Sequence, residues 1–271
     1  MRKHRDGLRF ALLGLAMMAS SMAWSMGKAQ NAVSSGRQHS TPMTPTEQQA
    51  AGELFQAANQ DRAANRLPGL RQDSALTQAA WRHAQRMIQA GTLSHDLPGE
   101  PDLIARVQQA GVRCSTVDEN LAEAPTAKAI NNEWMHSPLH RANLLDPRVN
   151  AVGIAIVKVG GELYAVQDFA REVESLTRQQ QEQQVSSLLH RRGLQVLPDS
   201  AMARSYCGSS PNRKRPLPRL VMRYSTSDLT QLPRQVEQGI TSGTYHRADV
   251  GACSESTQNG FTAYQMVILL Y

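Results

Sequence analysis

Several signatures of common protein classes are missing from this chain of 271 residues. It has no Gly-x-Ser-x-Gly sequence, which excludes the nucleophile turn of the α/β-hydrolases, and it has no glycine-rich phosphate-binding loop. The apolar run at 10–18 is shorter than the ~20 residues that a membrane-spanning helix needs. Cysteine is absent from the first 30 residues, and this absence excludes bacterial lipid attachment there.

Positive charge is unevenly distributed along the chain. The formal net charge of +6 by itself suggests a nucleic acid or an anionic membrane as partner. Residues 1–29 carry +4 of it, residues 46–170 carry −3, and residues 171–271 carry +4. A nucleic-acid partner is therefore not expected. The basic run of the last hundred residues is either a solvated loop or a contact with an anionic surface; it comprises Arg213, Lys214, Arg215 and Arg219.

The N-terminal segment has the layout of a secretory signal peptide. Basic residues up to Arg9 precede the short apolar run, and small residues follow, with cleavage sites after Ala23 or Ala29. The alternative is an N-terminal membrane anchor. The sequence predicts that residues 1–29 are removed and that the mature protein, with a charge of +2, is secreted or periplasmic.

Cysteine is scarce, and its use fits an exported protein. Cys207 and Cys253 lie in the C-terminal part of the chain, and we predict that they form a disulfide. Cys114 is then left over, as a buried free thiol or as an intermolecular link.

The hydrophobic pattern predicts helices first and strands afterwards. Helical spacing begins at Thr46 and again after Asp73, and shorter helices follow near 101–110 and 127–135. Two apolar runs around Gly160-Gly161 predict a β-hairpin. This order indicates an α+β domain at 46–170, preceded by a flexible leader at 30–45. We interpret 171–191 as a linking helix and 192–271 as a second, small α+β domain, without a recognisable repeat between the halves.

Histidines and carboxylates recur in the first domain at positions that we interpret as loops and helix ends. His95, Glu119 and His140 could converge across a cleft. Neutral imidazole together with a carboxylate suits Zn²⁺, and the same pair suits acid–base chemistry. These side chains equally suit hydrogen bonds that hold loops against a core.

Residues 54–169 resemble a CAP domain, the superfamily of cysteine-rich secretory proteins, insect venom antigens and pathogenesis-related plant proteins, in its bacterial secreted branch. The matching landmarks are Asn59 and Arg62, Leu67–Leu70, Leu76 with Ala79, Ala80, His83 and Ala84, Ser94-His95, Glu119–Ala122, Trp134-x-x-Ser-Pro-x-His-Arg141, Val152-Gly153 and Gln167–Phe169. The resemblance implies an α-β-α sandwich.

The resemblance also implies a cleft, which in the family usually carries two histidines and two glutamates. His95, Glu119 and His140 match three of these positions. The fourth position holds Ser137, which resembles a helix cap, so the set of four is incomplete. His95 and His140 are the predicted metal ligands, and Glu119 would be a base or a third ligand if the site is catalytic.

Three functions follow from this resemblance. The first is a non-catalytic binding module whose cleft, with His95, Glu119, Ser137 and His140, takes a metal ion such as Zn²⁺, a small ligand or a protein partner. The second is a metal-assisted hydrolase of peptidase type that uses the same residues. The third is a lipid or sterol carrier, which requires an apolar groove.

Overall fold

A computed structural model describes residues 42–208, 216–258 and 260–271. The predicted signal peptide, almost all of the leader, and Arg213, Lys214 and Arg215 of the basic run lie outside the described residues. Within these ranges, no helix combines the length and the apolar character needed to cross a bilayer.

The described chain alternates helices and strands and forms two main sheets. The helices are α1 (Pro45–Ala64), α2 (Ser74–Ala90), α3 (Leu103–Gln109), α4 (Ala127–His136), α5 (Pro138–Leu144), α6 (Arg178–Arg191), α7 (Ala201–Ser205) and α8 (Arg234–Thr241). The strands are β1 (Arg71–Gln72), β2 (Cys114–Ala124), β3 (Ala151–Val159), β4 (Glu162–Glu172), β5 (Gln195–Val196), β6 (Leu220–Thr226), β7 (Arg247–Ala252), β8 (Ser256–Gln258) and β9 (Phe261–Leu270).

The first sheet lies between two layers of helices. Its strand order is β1-β3-β4-β2, with β1 parallel to β3 and the other pairs antiparallel. Side chains of β3 alternate between the two faces, as a strand requires. Ile154 packs against α1 and α4, whereas Ala155 packs against α2. This arrangement confirms the predicted α-β-α sandwich.

Local sequence signals fix the ends of the first elements. Thr44 and Glu47 form a reciprocal capping box at the start of α1, and the Asp73 carboxylate accepts the first free backbone N–H groups of α2. Gly91 ends α2 in the left-handed conformation, which glycine adopts without steric cost. The predicted helix starts and the hairpin at Gly160-Gly161 are therefore confirmed, and each follows from a local signal.

The second sheet has the order β5-β7-β9-β6, with β8 paired to β9. Val185 and Leu189 of α6 are fully buried in its core, together with Val236 of α8. We predicted that 171–191 is a linking helix, but the structure continues β4 to Glu172 and begins the helix only at Arg178. Because its apolar side is buried against β7, α6 is part of the second core rather than a connection.

The structure confirms the predicted disulfide and identifies the state of the third cysteine. Cys207 and Cys253 are bonded, with their Cα atoms 5.5 Å apart. Cys114 is a fully buried free thiol in β2, and burial raises the pKa of this thiol to about 11.

Thiol titration should therefore distinguish native from denatured protein. We expect native oxidised protein to show no reaction with a thiol reagent at pH 8, because Cys114 is inaccessible and protonated. In denaturant the same sample should show one reactive thiol per chain, and after reduction it should show three. The variant Cys114→Ala, as a control, should show no thiol until it is reduced; three thiols in the unreduced denatured sample would contradict the pairing.

Candidate functional site

Glu119 is the centre of a buried charged cluster on the α2/α3 side of the first sheet. Its Oε1 lies 2.8 Å from Nδ1 of His95, and its Oε2 accepts a hydrogen bond of 2.5 Å from Nη2 of Arg106. The Glu119 side chain is only 2% exposed, whereas that of His95 is 55% exposed. His95 is thus the outward end of a chain of contacts that leads into the core.

Arg106 connects this carboxylate to the helices behind it. Its Nη1 donates to the backbone carbonyl of His95 at 3.0 Å and lies 3.7 Å from Oε2 of Glu100. Nδ1 of His83, a fully buried residue of α2, lies 2.8 Å from the same Glu100 oxygen. The cluster holds the loop after α2 against the sheet, and His95 is carried on that loop.

The strand register places a second acid beside the first. Glu119 of β2 pairs with Asp168 of β4, which is fully buried. Burial raises the pKa of Asp168 well above its usual value, and the neighbouring charge of Glu119 raises it further. Burial thus favours the neutral form of Asp168, whereas His95 and Arg106 lower the pKa of Glu119 and favour its charged form.

The two cleft histidines have opposite electrostatic environments. The hydrogen bond with Glu119 raises the pKa of His95, against the opposing effects of burial and of the Arg106 charge. Burial lowers the pKa of His140, and the charge of His95 lowers it further, against the effect of Glu133. Relative to an ordinary histidine, His95 therefore favours the cationic form, and His140 favours the neutral form.

His140 lies on α5 and is positioned through the backbone. The Nδ2 atom of Asn120 donates to the His140 carbonyl at 3.1 Å, and Asn143 donates to the Asn120 side chain at 3.0 Å. Ser137 is the N-cap residue of α5, as predicted, although its side chain makes no capping hydrogen bond. Nδ1 of His140 is buried and has no hydrogen-bond partner among the described residues.

Comparison with known proteins identifies the first domain. The profile of the Cysteine-rich secretory protein family, CAP, matches residues 55–169. Residues 55–169 are a CAP domain. This match confirms the resemblance that was based on the sequence landmarks.

Individual relatives of the CAP domain are distant. The uncharacterized protein YkwD of Bacillus subtilis is 26% identical over 108 residues, which is 40% of this chain and 42% of that protein. An extracellular protein containing an SCP domain, from Bacillus anthracis, is 28% identical with a TM-score of 0.44 over 49% of this chain and 45% of that one. A cysteine-rich secretory protein of Staphylococcus aureus is 18% identical with a TM-score of 0.40, covering 49% and 42%. The chain spans less than half the length of each.

The contacts of Glu119 determine whether it can bind a metal ion together with His95 and His140. Both carboxylate oxygens are already used, one by His95 and one by Arg106. Among the residues that the structure describes, no three His, Cys, Asp or Glu side chains are grouped so that they could hold a metal. A three-ligand centre of His95, Glu119 and His140 therefore does not fit this arrangement.

The sequence prediction placed Glu119 correctly beside His95 but in the wrong kind of element. We predicted loop and helix-end positions, and the structure places Glu119 within the eleven-residue strand β2. Arg106, His83 and Glu100 were not predicted as site residues. The signal for Arg106 was its position between Leu103 and Val107 on the inward side of α3, where an arginine needs a buried partner.

Proposed function

We propose that the CAP domain is the binding module of an exported protein and that His95 is the group that meets the ligand. The supporting observation is that both carboxylate oxygens of Glu119 already have partners, His95 for one and Arg106 for the other. A catalytic base needs a carboxylate oxygen that can reach the proton of a substrate or water. Glu119 is instead an orienting group for the histidine.

The proposed ligand is a small anion with an apolar part. Because Glu119 holds Nδ1 of His95, the Nε2–H group on the other side of the ring can donate to a ligand oxygen. A protonated imidazole makes a charge-assisted hydrogen bond to a carboxylate or phosphate. Exposed leucines adjoin both histidines in sequence, Leu93 at 41% exposure and Leu139 at 79%, and they offer apolar contact.

Benzoate is a suitable probe, because it combines a carboxylate with an apolar ring. We expect benzoate to shift the His95 ring signals in NMR titrations, with about tenfold weaker binding in His95→Gln. The pKa of His95 is raised, so the cation is present below its ordinary value of 6.5 and is lost as pH rises through the higher, folded-state pKa. Affinity should therefore be highest below pH 6.5 and decline as pH rises through the raised pKa of His95.

The control is His136→Gln. Among the residues that the structure describes, this exposed histidine has its hydrogen bond with the Asn132 carbonyl of its own helix. This variant should bind benzoate like the wild type. Equal affinity in His95→Gln, or affinity that is independent of pH from 6 to 9, would contradict the proposal. Zn²⁺-dependent peptide hydrolysis that is lost in Glu119→Gln would support the hydrolase alternative instead.

A further inference from the structure

The two sheets of the chain have the same topology. The first has the order β1-β3-β4-β2, and the second has the order β5-β7-β9-β6. In each, the first pair is parallel and the two others are antiparallel. In each sheet the strands also follow one another along the chain in the same order. The short edge strand comes first, the opposite edge strand second, and the two central strands, which pair with each other, come last.

The helices occupy corresponding places as well. α1 and α6 precede the short edge strands, and both begin with a capping box, Thr44 with Glu47 and Thr177 with Gln180. The helices α2 and α7 follow those strands. Asp73-Ser74-Ala75 opens the first of them and Asp199-Ser200-Ala201 the second, each with the aspartate accepting from the alanine N–H.

In each half, one glycine lies at a close contact between a strand and a helix. Gly153 in β3 lies so close to α2 that a Cβ atom would overlap the Thr77 nitrogen. Gly251 in β7 meets α7 in the same way, since a Cβ there would lie 2.6 Å from the Arg204 nitrogen. In both domains a strand passes directly against the first turn of the same helix, and only glycine leaves the space.

The residues that pair across the sheet with these two glycines differ in charge. Across the first sheet, Gly153 pairs with Asp168, which pairs with Glu119. Across the second sheet, Gly251 pairs with Val267, which pairs with Arg223. The glycine at the close helix contact is thus followed across the second sheet by valine and arginine, where the first sheet has Asp168 and Glu119. The registers of the short edge strands align Gly153 with Asp249 instead, two residues before Gly251.

A cavity lies beside Arg223 on the second sheet. Its volume is about 410 Å³, and Arg223, Val267, Gln265, Ser254 and the Cys207–Cys253 disulfide line it. Arg223 is the charged residue of that lining, which contains no carboxylate. The lining of the cavity therefore carries a positive charge.

Arg223 is held in place and keeps donors for a ligand. Its Nε donates to the Tyr206 carbonyl at 2.7 Å, and its Nη2 donates to the Gly208 carbonyl at 3.3 Å. These carbonyls belong to the segment after α7, as His95 belongs to the loop after α2. Within the described ranges, Nη1 of Arg223 has no hydrogen-bond partner, and guanidinium groups match the geometry of oxyanions.

We propose that residues 178–271 are a second copy of the CAP fold and that this cavity is an oxyanion-binding site centred on Arg223. The ligand is a small carboxylate or phosphate. The site is separate from the cleft at His95 and does not depend on the function proposed for it.

Calorimetry on the full chain, in low-chloride buffer, tests the site with two probes, succinate and inorganic phosphate. We expect one equivalent of one probe to bind, about tenfold weaker binding in Arg223→Gln, and a smaller loss in Arg223→Lys, which keeps the charge without the planar fork. Arg234→Gln removes the same charge from α8, outside the cavity, and should bind normally. In His95→Gln, which removes the anion contact proposed for the first cleft, the binding that depends on Arg223 should remain.

NMR of the wild-type protein gives a readout that does not need a folded variant. The Nε–H signal of Arg223 should shift with the bound probe, while that of Arg234 should not. The site would be refuted if neither probe bound the wild type, or if Arg223→Gln bound as tightly as the wild type. A shift at His95 in place of Arg223 would assign the anion to the first domain and also refute it.

Discussion

Replacement of Arg106 by methionine is expected to lower the free energy of unfolding by about 3–5 kcal/mol, the range for a buried ion pair that loses one partner. Arg106 is 5% exposed and lies 2.5 Å from Glu119 and 3.7 Å from Glu100, which are themselves almost fully buried. Methionine fills a similar volume but leaves these carboxylates without the compensating charge. Urea unfolding at pH 7, followed by circular dichroism, measures the change.

Arg192→Met is the matched control. It breaks the pair of Arg192 with Glu237, whose side chains are 55% and 32% exposed, and should cost less than about 1 kcal/mol. An equal loss in the two variants would show that Arg106 does not compensate a buried charge.

The pH dependence gives a second check on Arg106. Burial acts to raise the pKa of Glu119, but His95 and Arg106 outweigh this effect and hold the pKa below its ordinary value. A lowered folded-state pKa stabilises the protein above the unfolded pKa, and this stabilisation is lost as pH falls. The deficit of Arg106→Met should therefore shrink between pH 7 and pH 4, because protonation of Glu119 removes the uncompensated charge.

The sequence was sufficient for elements with local signals and for the family landmarks. Capping residues and a left-handed glycine marked α1 and α2, and the pair His95 and Glu119 was expected to converge. β2 was not recognised, because its strand contains Asp118, Glu119 and Asn120, residue types that are uncommon in strands. Their burial depends on Arg106 and Asn143, which are distant in sequence, so no local pattern could indicate it.

The repeated topology was missed for a related reason. The shared residues are few, and Leu197-Pro198 extends the second copy before its Asp-Ser-Ala sequence, which shifts the spacing. The two halves share the order and pairing of their strands, and many different side chains are compatible with that backbone arrangement. Glycine at a close contact between a strand and a helix is the exception, because no other residue fits there.

Gly153→Ala is expected to destabilise the protein by more than about 3 kcal/mol, beyond the usual cost of overpacking a core. The added methyl group would overlap backbone atoms at Leu76 and Thr77, so α2 must move away from the sheet and disturb the packing that carries His83. Gly251→Ala should cost about 1–3 kcal/mol, since its nearest contacts are longer, at 2.6 and 2.7 Å. Thermal and urea unfolding measure both.

Gly52→Ala supplies a control of opposite sign. Gly52 lies inside α1, and a Cβ there would meet nothing within 4 Å, so alanine should stabilise the protein by about 0.5–1 kcal/mol through its higher helix propensity. If Gly251→Ala were neutral, β7 would not be in close contact with α7, and the two halves would not share this contact. Destabilisation at both glycines, with stabilisation at Gly52, would show that the two domains share the same contact between strand and helix.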